Sequence, residues 1–455
     1  LTAAKVSGLD GLNPAVADPT VFKAFTAMGT LHDEQKWDKV VEVGDAWLDA
    51  RGGMNPTAAT WYAQALMGVG RYGDAVEWAA IATRHMPKDE IIPRIAAWST
   101  YAQALSRTGQ FDRAKRAMAS AVSLDADHAQ TQEKQGHMLA TMALCSSKPI
   151  VVRGRRLFPD QLWAAAWELM ESRLAEDEKK IPPYFHGWDG ETKEPVSVLH
   201  EQGLGDAVLV ARWIPWLVKT TGHPVTYYGP PTLGPWMREI PGVVLGDFED
   251  TDTRGNAGEH LGAAVRAMSL PYHTHMRSVA DLPAPWAPSV LTRQRAYRTR
   301  SGPLKVGVCW KGATVGWHDF ERSFTAEQFA PIFAPLEGAT FVNLAHEAAV
   351  PSEAPFHAVA FDDVMHTGHV IADLDLVVTV DTGIAHLAGS LTVPTLVIPP
   401  TVPDWRWVWP RGQTTPFYPS VIVVRRRFAN DAQVITTTRQ VLEMYAAKLS
   451  ETRAA

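Results

Sequence analysis

The stretch Leu376-Val377-Val378-Thr379-Val380-Asp381-Thr382-Gly383-Ile384-Ala385-His386-Leu387-Ala388-Gly389 decides how the rest of the chain is read. It opens as a continuous apolar, β-branched run, the signature of a strand buried on both faces of a parallel sheet. The period then changes. Ile384, Leu387 and Ala388 repeat at helical spacing, so a helix starts near Thr382, with Asp381 or Thr382 as its N-cap. A strand end that feeds a helix N-terminus through a polar turn presents unpaired backbone N–H groups and the positive dipole end to an anion. Gly383 admits a close approach, and His386 lies one turn on. The plain alternative is an ordinary strand-to-helix turn of an α/β domain.

Working outward, the 455 residues suffice for about three domains. Hydrophobic residues make up 46% and charged ones 20%, the balance of a globular protein. A net charge of -6 leaves no basic footprint for polyanions. Cys145 and Cys309, the two cysteines, each sit in an apolar run and read as buried thiols. No Cys/His ligand spacing appears. No apolar run reaches ~18 residues, so no membrane span is expected. The first residues show no basic segment followed by an apolar core, and the expected location is cytoplasmic.

Residues 1 to about 20 form a polar lead-in. From Phe22 to Leu124 the pattern is paired amphipathic helices. Gly70-Arg71-Tyr72-Gly73-Asp74-Ala75 recurs as Gly109-Gln110-Phe111-Asp112-Arg113-Ala114, with an earlier degenerate copy at Gln35-Lys36-Trp37-Asp38-Lys39-Val40. Small residues where helices cross and an aromatic after the turn resemble the tetratricopeptide (TPR) repeat. An insertion at Lys88 to Pro93 accounts for the longer second spacing. The array is either a buttress or an acceptor groove. Helix continues from His128 to about Lys180, where Glu176 to Lys180 forms a solvated end.

From Val196 strands and helices alternate. Strands are expected at Val196 to His200, Val225 to Tyr228 and Val243 to Leu245. A helix from Ala207 to Val218 should break near Pro215, and another lies around Pro235 to Ile240. Asp250 to Glu259 is loop-like, and Leu282 to Ser301 suits an interdomain linker. A second α/β unit starts at Lys305 to Trp310 and continues through strands Phe341 to Leu344 and Thr395 to Ile398. The last helix, about Ala432 to Leu449, is expected to cross back over the first unit. The domains are then 1–180, 181–300 and 301–455.

Two such units bind ligands at the carboxyl ends of their strands, so the turns there carry the chemistry. The first is Gln202-Gly203-Leu204-Gly205-Asp206. Its glycines allow close backbone approach, and the Asp206 carboxylate is either a proton acceptor for a hydroxyl or a helix cap. The dinucleotide fingerprint is absent, because the third glycine is missing. The second is Trp310-Lys311-Gly312-Ala313 with His318, Asp319, Arg322 and Ser323. Lys311 and Arg322 supply two cations for phosphate, or form a solvated basic loop. The third is Asp381-Thr382-Gly383 with His386. The fourth is Asp404-Trp405-Arg406-Trp407 with Phe417-Tyr418-Pro419, an aromatic loop that either walls a sugar or base or packs an interface.

Glu201-Gln202-Gly203-Leu204-Gly205-Asp206, Trp310-Lys311-Gly312 with Arg322-Ser323, Asp381-Thr382-Gly383-Ile384-Ala385-His386, and Asp404-Trp405-Arg406-Trp407 stand in order between Trp188 and Val424. Together they resemble the TPR glycosyltransferases whose catalytic part is similar to bacterial heptosyltransferases. The resemblance implies an α/β chain with N-terminal α-helical TPR-like repeats followed by a GT-B fold of two Rossmann-like domains. It implies a nucleotide-sugar donor in the C-terminal half, no metal, no cofactor, and inversion at the anomeric carbon. Asp206 would be the base. Trp310, Lys311, Gly312, Arg322, Ser323, Asp381, Thr382, Gly383 and His386 would hold the donor. Gln202, Gly203, Gly205, Asp404, Trp405 and Arg406 would line the acceptor or sugar pocket. The chain departs from the family's Asn-Pro pair at Ala313-Thr314. It also departs from the Asp-Arg-Asn-Arg-Ser run at Asp319-Phe320-Glu321-Arg322-Ser323.

The leading reading is therefore an inverting, metal-independent glycosyltransferase acting on a polypeptide or glycan, with the helical repeats aiding acceptor choice. The same chemistry on hydroxymethylated DNA bases is less favoured by the charge, despite basic runs at Arg293 to Arg300 and Arg425 to Arg427. A non-catalytic repeat scaffold is the third class. Intact Asp206 and Asp381-Thr382-Gly383 count against it.

Overall fold

The computed structural model describes residues 19–454, apart from 35, 52–54, 109, 126–127, 146–149, 153–154, 176–180, 247–260, 277, 299–301, 313–321, 335, 337, 346–355, 359–362, 401–402, 408–413 and 427–430. The polar lead-in, the Glu176 to Lys180 end, the Asp250 to Glu259 loop, Arg300 and Arg427 fall outside them. So do Ala313, Thr314, His318, Asp319, Phe320 and Glu321, and the side chain of Cys145. Two compact units emerge, residues 1–135 with 316–321 and residues 136–315 with 322–455.

The first unit is helical: α1 (Pro19–Asp33), α2 (Trp37–Arg51), α3 (Pro56–Gly68), α4 (Tyr72–His85), α5 (Ile91–Arg107), α6 (Phe111–Leu124) and the start of α7 (Ala129–Cys145). Consecutive helices pack as pairs. In each pair the aromatic of the recurring motif is the first residue of the second helix: Trp37, Tyr72 and Phe111. Pairs approach closely because small residues face rings. A Cβ on Gly44 would stand 2.4 Å from Tyr62, and one on Gly68 would stand 2.7 Å from Trp37. The insertion expected at Lys88 to Pro93 is a longer helix instead: α5 has 17 residues and α3 has 13. Extending a helix by about one turn preserves its buried face, which a loop insertion need not do.

The second unit holds two sheets. Strands β3 (His186–Gly187), β4 (Val196–Leu199), β5 (Val225–Tyr228), β6 (Val243–Leu245) and β7 (Ala263–Arg266) form an all-parallel sheet in the order β3-β7-β4-β5-β6. Strands β8 (Lys305–Cys309), β9 (Thr340–Asn343), β10 (Phe356–Ala358), β11 (Leu376–Val380), β12 (Thr395–Ile398), β13 (Thr414–Thr415) and β14 (Tyr418–Val423) follow. They form a seven-stranded sheet in the order β10-β9-β8-β11-β12-β14-β13. Only the β13–β14 pairing in it is antiparallel. A further short hairpin joins β1 (Ile150–Val152) and β2 (Arg155–Leu157). In the larger sheet the chain winds outward from β8 in one direction, then returns to β11 and winds in the other. The strand order therefore reverses between β8 and β11, and in the smaller sheet between β4 and β7. Those two points are where open parallel sheets form crevices.

The helix after β4 breaks as expected at Pro215. It becomes α9 (Leu204–Val210), a 3-10 turn and α10 (Ile214–Thr221), with Pro215 in the first turn of α10, where its missing N–H costs nothing. Several expectations are corrected. Tyr418 and Pro419 open a strand, not a loop. Leu282 to Ser301 contains a docked helix, Ser289–Tyr297. Arg295 donates to the Leu374 carbonyl and Arg298 pairs with Asp375 at 2.7 Å. The last helix, Asp431–Ala454, packs on 330–333 and β12 of its own lobe. Residues 136–175, read with the repeats, belong to the α/β unit, because α8 (Pro159–Met170) buries Trp163 and Trp167 in its core. A single buried cluster runs from these tryptophans through both sheets.

Candidate active site

Three of the four sequence-read turns sit at a reversal point. Glu201 to Asp206 follows β4, Trp310 to Gly312 follows β8, and Asp381 to Gly383 follows β11. The two lobes meet here backbone to backbone. A Cβ on Gly205 would lie 2.7 Å from the His386 ring and 3.1 Å from Gly383 Cα. Gly205 is therefore required by the lobe contact. Gly203 differs: a Cβ there would meet only the Asp206 carboxylate, at 3.3 Å.

Asp206 stands in the first turn of α9. Its Oδ2 accepts from the Gly203 N–H at 3.1 Å, while its Oδ1 accepts from Arg406 of the opposite lobe. Gln202 before it holds φ at 63° and is exposed, as is Leu204. A non-glycine residue in that region is strained, and such strain persists where the surroundings over-determine it. The surroundings here are a buried ion pair beneath the turn. Glu201 takes two bonds from Arg173, at 2.8 and 3.1 Å, and one from the Met268 N–H at 2.7 Å. Arg173 also binds Glu171 at 2.6 Å and Ser269 at 2.8 Å. Sequence reading missed Arg173, whose partner lies 28 residues away.

On the other lobe, Arg322 lies over Gly312, where a Cβ would come within 2.5 Å of its guanidinium, and donates to the Asp381 carbonyl at 3.1 Å. The Ser323 hydroxyl accepts from the Gly312 N–H at 3.1 Å. Lys311 is exposed beside them. Thr382 caps the Gly383–Ser390 helix in an extended conformation, but its hydroxyl faces Thr379 Oγ1 at 3.0 Å and not the helix amides. The first amides of that helix are thus left without a side-chain cap.

Asp381 accepts from Trp407 Nε1 at 2.7 Å. Burial, and then the neighbouring Asp404, push its carboxyl up to about 6. His386 is buried, its Nδ1 2.9 Å from the Tyr418 hydroxyl, and burial followed by Arg406 and Arg212 pushes it down to about 3. Burial thus favours the neutral ring. Arg406 bonds Asp404 at 2.7 Å with its other arm and lies 4.3 Å over the Trp405 ring. Burial works to raise the Asp404 carboxyl, but the charge and hydrogen bonds of Arg406, with His137, together outweigh it and hold it below the usual range.

Two of the expected site residues are buried. Trp405 is 1% exposed, packed edge-on to Trp163 and Trp167, and Trp310 is 2% exposed. Neither ring has surface to offer a sugar or base. The sequence also passed over Arg212, a lone charge in an apolar run, which is the signal that could have found it. It is buried and donates to the Leu209, Phe417 and Pro283 carbonyls at 3.1, 3.0 and 3.3 Å, joining the lobes.

No family model and no curated protein matches this chain. Among solved structures it is similar to ADP-heptose LPS heptosyltransferase II of E. coli, at 16% identity and a TM-score of 0.39, covering 57% of this chain and 99% of that one. It is similar to a Thermobaculum terrenum O-GlcNAc transferase mutant at 12% identity and a TM-score of 0.35, covering 96% of this chain and 93% of that one. A third is the iron-containing dodecameric glycosyltransferase TibC of enterotoxigenic E. coli, at 13% identity and a TM-score of 0.37, covering 57% and 77%. Overlap this loose carries no argument about the reaction.

Among the described residues, no group of three or more His, Cys, Asp and Glu is arranged to hold a metal ion. No described helix is long and apolar enough to cross a membrane. A cavity of about 340 Å³ lined by Trp213, Trp216, His275 and Asp281 lies apart from the Asp206 turn. What the arrangement offers chemically is a carboxylate on one lobe facing a helix N-terminus, an arginine and a lysine on the other.

Proposed function

We propose that this chain is a glycosyltransferase of the GT-B type, moving a sugar from a nucleotide-sugar donor to a hydroxyl of a polypeptide or glycan, with inversion and without a metal ion. One observation carries the reading. The crevices at the reversal points of the two parallel sheets face each other, with Asp206 on one side and Asp381-Thr382-Gly383, Lys311 and Arg322 on the other. A diphosphate leaving group needs positive potential as its charge grows. Uncapped helix amides and two cations supply it in place of a metal. Asp206 removes the acceptor proton during in-line attack on the anomeric carbon. The lobes touch at Gly205 and Gly383. The three helix pairs of the first unit, with their recurrent turn, are read as TPR-like repeats that aid acceptor choice.

Calorimetry with UDP, ADP, GDP and CMP, with and without chelator, tests the donor side. Binding that survives chelator is expected, and binding abolished by it would remove the metal-free reading. Asp206→Asn should lower turnover by roughly two to four orders of magnitude, with nucleotide affinity little changed. Wild-type turnover in that variant would exclude Asp206 as the base.

A further inference from the structure

We infer that Arg406 is a positioning residue that reaches across the crevice and holds the Asp206 carboxylate in its working orientation. This rests on the proposed role of Asp206 as the base. The guanidinium is a two-armed bridge: one arm is anchored on Asp404 at 2.7 Å and the other on Asp206. The anchor is itself fixed, since Asp404 also accepts from the Arg406 backbone N–H at 3.0 Å. The plane of the guanidinium is set by Trp405 at 4.3 Å. Trp405 is held in turn by Trp167 at 5.3 Å, Phe417 at 5.2 Å and Trp163 at 6.0 Å. A planar fork locked on a packed ring loses little entropy when it binds a carboxylate. Asp206 thus has one oxygen pinned by its own helix and the other by the opposite lobe. Its side chain keeps 21% of its surface exposed, against 9% for Arg406, so the carboxylate retains an open side.

The neighbourhood explains why a cation is needed to do this. Asp381 and Asp404 both lie within electrostatic reach of Arg406. His386 and His200 are both driven toward the neutral form by burial and cannot replace it. Without Arg406, Asp206 would face Asp404 with no shared counter-charge and would turn away. Lysine keeps the charge but reaches one carboxylate at a time, so it should restore only part of the effect.

The test uses the full chain and whichever of UDP-N-acetylglucosamine, UDP-glucose, GDP-mannose and ADP-glucose the wild type turns over. Turnover, KM and the dissociation constant of the matching nucleoside diphosphate are measured for Arg406→Met, Arg406→Lys, Asp404→Asn, Asp206→Asn and the double variant Asp206→Asn/Arg406→Met. Arg406→Met should lower turnover roughly 10- to 100-fold, the scale of a misplaced catalytic group, with nucleotide affinity nearly unchanged. Arg406→Lys and Asp404→Asn should show the same signature more weakly, and either serves if the methionine variant does not fold. The double variant should be no slower than Asp206→Asn alone, because the effect runs through the carboxylate. The inference is overturned if the Arg406 loss multiplies in full in the Asp206→Asn background, or if it weakens nucleotide binding and leaves turnover intact. A melting-point change with normal turnover overturns it too. Failure of the underlying reading is separate: Asp206→Asn turning over at the wild-type rate, or a wild type inert toward all four sugars.

Discussion

Burial moves His386 down and Asp381 up, so the two change stability with pH in opposite senses. Burial, then Arg406 and Arg212, drive His386 down to about 3. The unfolded chain takes up that proton near the ordinary value of ~6.5 and the fold refuses it. His386 therefore contributes stability that is complete above ~6.5 and is lost as pH falls toward 3. Asp381 runs the other way. Burial and Asp404 raise it to about 6, so its contribution is complete below ~4 and is lost as pH rises through 6. Both act between ~4 and ~6, where each exchanges close to one proton in opposite senses, so their slopes nearly cancel. Stability should be nearly flat across that window. Melting temperatures from pH 4.5 to 8 check this. His386→Gln, which can still bond Tyr418, should leave a fall with rising pH. Asp381→Asn, which still accepts from Trp407, should leave a rise and lift the melting point at pH 8. An unchanged slope in His386→Gln would refute the neutral buried ring.

At the scale of elements, two glycines of one turn have opposite jobs. Gly205 lies where α9 meets the Gly383–Ser390 helix, and a methyl group there collides with a buried ring and with backbone. Gly205→Ala should cost about 1–3 kcal/mol, the usual range for overpacking, and lower the melting point. Gly203 has an extended backbone that alanine accepts, φ −87° and ψ 167°, and its added methyl would press only on Asp206. Gly203→Ala should leave the melting point nearly unchanged and depress turnover. Measured together, the two variants separate packing from chemistry. A stable, fully active Gly205→Ala would show that the lobes do not meet as described. The Gly-Leu-Gly-Asp pattern was legible in sequence, but not which glycine served which purpose, because their neighbours come from another lobe.

At the scale of the molecule, residues 136–175 brace the α/β unit. α8 packs Trp163 and Trp167 against Trp405 and Phe417 of one lobe, and Arg173 pairs with Glu201 of the other. A fragment that begins at Tyr184 strips this brace. It exposes the tryptophan cluster and leaves Glu201 as a buried charge without its partner, a loss of about 3–5 kcal/mol from the ion pair alone. A fragment beginning at Ala129 retains both. The shorter fragment should be insoluble or non-cooperative in thermal unfolding, and the longer one should melt cooperatively. Cooperative unfolding of the fragment from Tyr184 would show that the brace is dispensable.

By itself the sequence determined the elements whose signal is local. Buried β-branched runs marked β8, β11 and β12. The recurrent turn marked three helix pairs, and Pro215 marked a helix break. It placed the polar turns at strand ends, because a period change from strand to helix shows in any short window. Tertiary structure alone decided what those residues touch. Arg406 meets Asp206 from 200 positions away, Arg173 meets Glu201 from 28, and Tyr418 holds His386 from 32. Strand β7 lies between β3 and β4, although its Ala-Ala-Val-Arg holds one β-branched residue and so carries little strand signal. An aromatic loop and an aromatic core have the same letters. Only the arrival of α8 turned Trp405 from a candidate pocket wall into packing, since burial is set by what the rest of the chain brings to a residue and not by the residue's own type.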